Sequence, residues 1–168
     1  MDRRSLLVGM GLTLTGFTGQ VLSRPVTNTQ KSPVGQQLIN QFAETLSAHN
    51  IDAFAALFAE TYINHQMSAA APIPIGVTPK QASVGIFAAR LKGLPDLKVT
   101  VEMQVVSNDM VAASFIYEGT HTGVYLGVPA TNRRLRFTSC DIFRVVDGKF
   151  VEHWGMGDLA GVMAQLKG

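Results

Sequence analysis

At residue 97 the hydrophobic period of this chain changes, and that change limits the folds open to it. Leu97, Val99, Val101, Met103 and Val105 alternate with Lys98, Thr100, Glu102 and Gln104, the period-two pattern of a strand with one dry face and one wet face. Upstream the period is helical. Ser32 and Pro33 open a helix in which Val34, Leu38, Phe42 and Leu46 recur at nearly fourfold spacing as far as His49. Asn50 or Asp52 caps a second, short helix with Phe54, Leu57 and Phe58 on one side. "ETYINHQ" interrupts the pattern, and the prolines and glycine of residues 67–77 read as a loop. Thr78 and Pro79 start a third helix through Ala82, Ile86, Phe87 and Arg90, which Gly93 and Pro95 stop.

After "SND" the strands continue through 110–122, 135–146 and 149–156, with Asp147-Gly148 as the hairpin turn between the last two. Asp158 caps a closing helix that presents Leu159, Val162, Met163 and Leu166. Helices first and an antiparallel sheet afterwards imply an α+β domain over residues 33–168. A curved sheet wrapped around helices leaves a cone whose interior is the default ligand site. The chain has 168 residues and is 46% hydrophobic, enough for one such core and too little for two.

The N-terminus and the charge balance narrow the partners. The paired arginines Arg3 and Arg4 precede an apolar run to Leu22, which looks like a twin-arginine export signal over residues 1–24. The glycines and threonines of that run make it a weak membrane span, so membrane contact is expected only if the segment stays uncleaved. The expected location is outside the cytoplasm, in the periplasm; the competing reading is a disordered basic tail. Residues 25–32 read as a polar linker. Setting aside Asp2, Arg3, Arg4 and Arg24 leaves 11 of 14 bases and 11 of 12 acids, so the domain is near neutral. That balance argues against nucleic acid, which requires a basic footprint. Cys140 is the single cysteine, so no intramolecular disulfide can form.

"YINH" (62–65), "GLPDLKVTV" (93–101), "YEGTHTGVYLGVPATNRRLRF" (117–137), "DIFRVVDGKFVEHW" (141–154) and "DLAGVMAQL" (158–166), in that order, resemble the SnoaL-like polyketide cyclase family of the NTF2-like superfamily. The likeness covers roughly residues 34–167. It implies a cone-shaped α+β barrel, often a homodimer through the sheet. It also implies cyclases that close a ring by an intramolecular aldol reaction, with an aspartate as general acid and base in an apolar cavity and no metal or organic cofactor. Carried onto this chain, that aspartate's position holds Gly155, and a histidine that assists falls on Asp141. The departure reads either as loss of catalysis or as a carboxylate moved from the last strand to its neighbour, and the sequence leaves both open.

Strand parity gives the second possibility a geometry. If position 155 faces the cavity, His153 and Val151 face it too, while Phe150, Glu152 and Trp154 face away. Position 141 then faces inward with Phe137, Ser139 and Phe143. Asp141 and His153 stand almost opposite one another across the 147–148 turn, about 5 Å apart at Cβ. A carboxylate beside an imidazole orients the ring and forms a workable acid/base pair, and it is also a common structural ion pair. His121, in "GTHTG", ends a strand near the cavity mouth, where the resembling family members carry a histidine; it reads either as a site residue or as a strand-end residue bonding the following loop. His65 falls where the family's pocket-lining residues lie, and it also reads as a cap on a helix end. Tyr117, Tyr125, Phe137 and Ser139 complete the candidate ligand contacts. Arg133 and Arg134, at a strand start, read as solvated or as a handle for an anionic substrate. Cys140 alternates out of the cavity and reads as a small buried residue. The histidine spacings match no metal motif and Gly127 opens no phosphate loop, so neither metal nor nucleotide is expected.

Two functional classes follow. One is a cofactor-free acid/base enzyme acting on a small, largely apolar carbonyl or ester-like molecule, with Asp141 and His153 paired and His121 or His65 polarising an oxygen. The other is a non-catalytic ligand-binding or dimerisation module in which the same groups merely satisfy one another. Gly155 favours the second, and the pairing of Asp141 with His153 favours the first.

Overall fold

The computed structural model describes residues 33–66 and 72–168; the segments read as export signal and linker lie outside them. The elements are α1 (Pro33–Ser47), α2 (Ile51–Ala55), β1 (Phe58–Asn64), α3 (Pro79–Gly93), β2 (Lys98–Ser107), β3 (Met110–Thr120), β4 (Arg134–Val146), β5 (Lys149–Gly157) and α4 (Leu159–Lys167). The caps of α2, α3 and α4 are those expected from sequence, and Ser32, expected to open α1, lies outside the described residues. Asn50 accepts from Ala53 N–H, Asp158 from Gly161 N–H, and Thr78 forms a reciprocal capping box with Gln81. Among the described residues no helix is long and apolar enough to cross a membrane.

The five strands form one sheet in the order β1-β5-β4-β3-β2. Its concave face closes on the helices. Leu38, Ile39, Phe42, Ala43 and Leu46 form the buried stripe of α1, and Gly35 lets the helix come close to Val106 and Val111. Val34, expected in that stripe, is exposed. Phe42 sits at the centre of an aromatic cluster, with ring centroids 4.7 Å from Phe115, 5.0 Å from Phe54, 5.4 Å from Phe87 and 5.8 Å from Phe143. Truncating a core phenylalanine of this kind costs about 3–5 kcal/mol.

The stretch "ETYINHQ", read from sequence as an interruption, is most of β1. It pairs in parallel with β5, setting Ile63 beside Glu152 and Asn64 beside His153. Phe58 and Tyr62 point into the core while Thr61 and Ile63 point out. Two bulges also overturn the expected parity. Val101 pairs with Phe115 but Met103 pairs with Ser114, so Glu102 is an extra residue that flips the strand. Met103 and Val105, expected inside, are 63% and 61% exposed, and Val106 packs on the core instead. On β5, Val145 pairs with Phe150 but Arg144 pairs with Glu152, leaving Val151 extra. Phe150, expected outside, is therefore fully buried, its ring 4.3 Å from Phe143. Cys140 does face away from the cavity, but it is exposed and not buried.

Candidate active site

Between α3, the concave face of the sheet and the 72–77 segment lies a cavity of about 720 Å³. That volume suits a drug-sized molecule. Phe42, Phe58, Phe87 and Phe143 line it without filling it, and Pro72, Ile73, Pro74 and Ile86 contribute to its wall. The polar groups converging on this apolar space come from five elements: Asn64 of β1, Ser83 and Arg90 of α3, Tyr117 of β3, Ser139 and Asp141 of β4, and His153 of β5.

Asp141 and His153 meet, though not as directly opposed residues. The extra residue Val151 shifts the pairing, so Asp141 faces Gly155 and His153 faces Phe143, on whose ring it stacks at 4.7 Å. The contact between them is diagonal: His153 Nε2 lies 2.8 Å from Asp141 Oδ1, with the two residues 8% and 7% exposed. Gly155 makes this possible. A Cβ at 155 would land on Asp141 Oδ1 and His153 Nε2, so the pair occupies the space a side chain at that position would need. Gly155 and the aspartate on β4 are thus two halves of one packing arrangement.

Hydrogen bonds extend the pair in both directions. Gln66 N–H donates to Asn64 Oδ1 at 2.9 Å, and Asn64 Nδ2 donates to Ser83 Oγ at 3.1 Å, which fixes the orientation of the Asn64 amide. Its oxygen also lies 3.1 Å from His153 Nδ1, so that nitrogen carries a proton. The Nε2–Oδ1 contact then holds a second proton, on the ring or on the carboxyl, and that proton is the transferable one. On the far side Ser139 Oγ donates to Asp141 Oδ2 at 2.5 Å, and the Tyr117 hydroxyl lies 3.4 Å beyond Ser139 Oγ. Burial pushes the Tyr117 hydroxyl up to about 12 and raises Tyr62 as well, so both remain neutral donors at ordinary pH.

The other residues singled out from sequence are placed differently. His121 is fully buried away from the cavity wall; its Nδ1 lies 2.9 Å from Thr131 Oγ1 and accepts from Thr131 N–H, while its Nε2 has no partner among the described residues. His65 is on the outer face of the sheet, stacked on Trp154 at 4.4 Å and 2.8 Å from Glu152 Oε2. Phe137 and Tyr125 are buried behind Arg90 and do not line the cavity. Tyr117 and Ser139 do line it. Arg133 and Arg134 are exposed, engaging Gln165 O and Asp96. Among the described residues no group of three or more His, Cys, Asp or Glu is placed to hold a metal ion. Sequence reasoning missed Asn64 and Arg90. The signal for Arg90 was a charge at an apolar-stripe position of α3; for Asn64 none existed without β1.

Comparison with known proteins agrees with this architecture. Over 56 residues the chain is 36% identical to the nogalonic acid methyl ester cyclase of Streptomyces nogalater, a match covering 33% of this chain and 42% of that one. The chain spans less than half the length of the curated relatives it matches. Among solved structures, TsrD of Streptomyces laurentii superposes with a TM-score of 0.69 at 26% identity, over 80% of this chain and 96% of that chain. IdmH of Streptomyces antibioticus, described as a polyketide cyclase, gives 0.66 at 28% identity over 80% and 99%. The SnoaL-like polyketide cyclase model matches residues 36–166, nearly the whole described domain, and with the NTF2-like cone already in place the chain belongs to that family.

Proposed function

We propose that this protein is a proton-transfer enzyme of the cyclase type, acting without a cofactor on a largely apolar carbonyl compound. The observation that carries the reading is the desolvated Asp141–His153 pair, tied down by Asn64 and Ser139 and opening on an apolar cavity. In this scheme the Asp141 carboxylate takes a proton from a carbon next to a carbonyl, and the electron pair moves onto the carbonyl oxygen as an enolate. The enolate carbon attacks a second carbonyl of the same molecule, a carbon–carbon bond forms, and the proton held between Asp141 and His153 passes to the new alkoxide. No atom is gained or lost. Neutral hydroxyls of Tyr117 and Tyr62 supply donors for developing oxyanions. The relative whose name specifies a methyl ester cyclase supports a substrate of ester or ketone type.

Gly155 favours a second reading, ligand binding without catalysis. Against it stands Asp141, whose carboxylate takes the space that a side chain at 155 would need. Exchange of the α-hydrogens of 2-tetralone in heavy water, followed by NMR, separates the two. The enzyme reading expects acceleration that Asp141→Asn and His153→Gln each reduce by roughly 10²–10⁴-fold. Exchange no faster than in buffer, or unaffected by either substitution, refutes it.

We further propose a homodimer through the outer sheet face, where Cys140, Ile142 and Met156 are exposed beside Trp154. A monomer in sedimentation equilibrium would rule that out. Export rests on the paired arginines, and finding the mature protein in the cytoplasmic fraction would overturn it.

A further inference from the structure

Arg90 is a cation facing the cavity with no anion beside it. It extends the α3 stripe of Ser83, Ile86 and Phe87, which carries its half-buried side chain over the cavity and away from bulk water. The guanidinium lies over three rings, 4.7 Å from the centroid of Tyr117, 4.8 Å from Phe87 and 5.3 Å from Phe137. Its Nε donates to Tyr125 Oη at 3.1 Å. Among the described residues no carboxylate comes within salt-bridge distance of it. Besides Tyr125, the hydroxyl that comes within reach of the guanidinium is that of Tyr117, a neutral group, and the terminal nitrogens are not sealed from the cavity.

The position is constructed by the fold. Thr122 and Gly123 N–H both donate to Gly93 O at 3.1 Å, pinning the 121–133 loop to the end of α3. A Cβ at Gly93 would run into Tyr125 Cβ, so glycine there lets Tyr125 settle on the helix end and reach Arg90. Tyr125 and Val128 exchange backbone hydrogen bonds around a turn with Leu126 and Gly127 at positive φ, which holds the tyrosine in place. These contacts occupy Nε and the guanidinium face and leave the two-pronged end without an anion. Aromatic rings attract a cation through their quadrupole but carry no net charge. A guanidinium drawn from water is best compensated by a planar two-oxygen anion, gripped through parallel N–H···O bonds.

We propose that Arg90 is the receptor for a carboxylate on the ligand, so that the substrate carries a free carboxylate in addition to its reacting ester or ketone carbonyl. This inference rests on reading the cavity as a substrate site. Tyr117 places the receptor relative to the chemistry: its ring lies under the guanidinium, and its hydroxyl leads through Ser139 to Asp141. Arg90 attracts the anionic end of an acid, which leaves its reacting carbonyl directed toward the Asp141–His153 pair.

The test compares binding of 2-naphthoate and methyl 2-naphthoate to the purified protein by calorimetry. The expected result is a preference of roughly tenfold or more for the acid, abolished in Arg90→Met while the ester binds as before, and partly kept in Arg90→Lys. Equal binding of acid and ester by the unsubstituted protein overturns the proposal, and that comparison requires no variant to fold. Loss of both ligands in a folded Arg90→Met also overturns it, because the residue would then be a structural prop. Asp141→Asn separates this inference from the acid/base reading. An acid preference retained in that variant, with 2-tetralone exchange absent even from the unsubstituted protein, leaves the carboxylate site standing and removes only the proton chemistry.

Discussion

β5 carries a histidine–carboxylate contact on each of its faces, and the two have the same length. Inside, His153 Nε2 is 2.8 Å from Asp141 Oδ1; outside, Glu152 Oε2 is 2.8 Å from His65 Nε2. Their surroundings differ. The inner side chains are 11% and 10% exposed and the outer ones 37% and 26%. The inner pair is flanked by Phe143, Asn64 and Ser139, groups that orient it without neutralising it. The outer pair belongs to a charged run in which Arg144 bonds both Glu152 and Asp109, with Trp154 stacked on His65. Distance therefore says nothing about role. Water screens the outer contact, as it does surface ion pairs generally, whereas breaking a buried pair leaves a charge with no compensation.

The sharpest way to break this comparison is a double-mutant cycle on the inner face, read by urea denaturation. Asp141→Ala removes one partner of a buried pair and is expected to cost about 3–5 kcal/mol. Gly155→Ala places a methyl group on Asp141 Oδ1 and His153 Nε2, an overpacking expected to cost about 1–3 kcal/mol. In the Asp141→Ala background one of the two obstructions is gone and the His153 ring gains room to move, so the same alanine should cost less, and the two effects should fail to add. Additive costs would mean that Asp141 does not occupy the space beside position 155.

The sheet and its helices were legible because their signals are local. Asn50, Thr78 and Asp158 accept from N–H groups three residues on, and Asp147-Gly148 turns with both residues at positive φ. β1 was illegible because its partner lies about 90 residues later in a parallel pairing that no neighbouring turn announces. Losing β1 meant losing Asn64, the residue that fixes the His153 ring. The bulges at Glu102 and Val151 escaped because neither position carries a glycine or another mark of irregular backbone, yet each inverts the parity on one side of it. Inward placement of Asp141 and His153 could still be inferred, since both lie beyond the Val151 bulge from the turn and share its offset. Phe150, on the turn side, was assigned to the wrong face for the same reason. His121 and His65 were chosen by position along the chain, and position does not say which way a ring points. Arg90 is the converse case, a charge on an apolar stripe whose surroundings come from a loop more than 30 residues away.

A smaller effect tests the outer half of the comparison through pH. The Glu152 carboxyl is held below its ordinary value of 4.5, first by the hydrogen bond with His65, opposed in part by burial, and then by the hydrogen bond and charge of Arg144. A carboxyl whose pKa is lower in the folded chain than in the unfolded one stabilises the fold above the unfolded value. It loses that contribution as pH falls through the lowered folded value. Glu152→Gln should therefore melt slightly below the unsubstituted protein at neutral pH, and the gap should close on acidification below about 4.5. Salt should narrow the same gap, because the charges involved are exposed. Exchange into 2-tetralone should be unchanged, since Glu152 faces away from the cavity. Thermal melts of both proteins between pH 3 and 7 decide it. A gap that widens in acid would mean that Glu152 is not acting as a surface anion, and a loss of exchange would mean that the two faces of β5 are not independent.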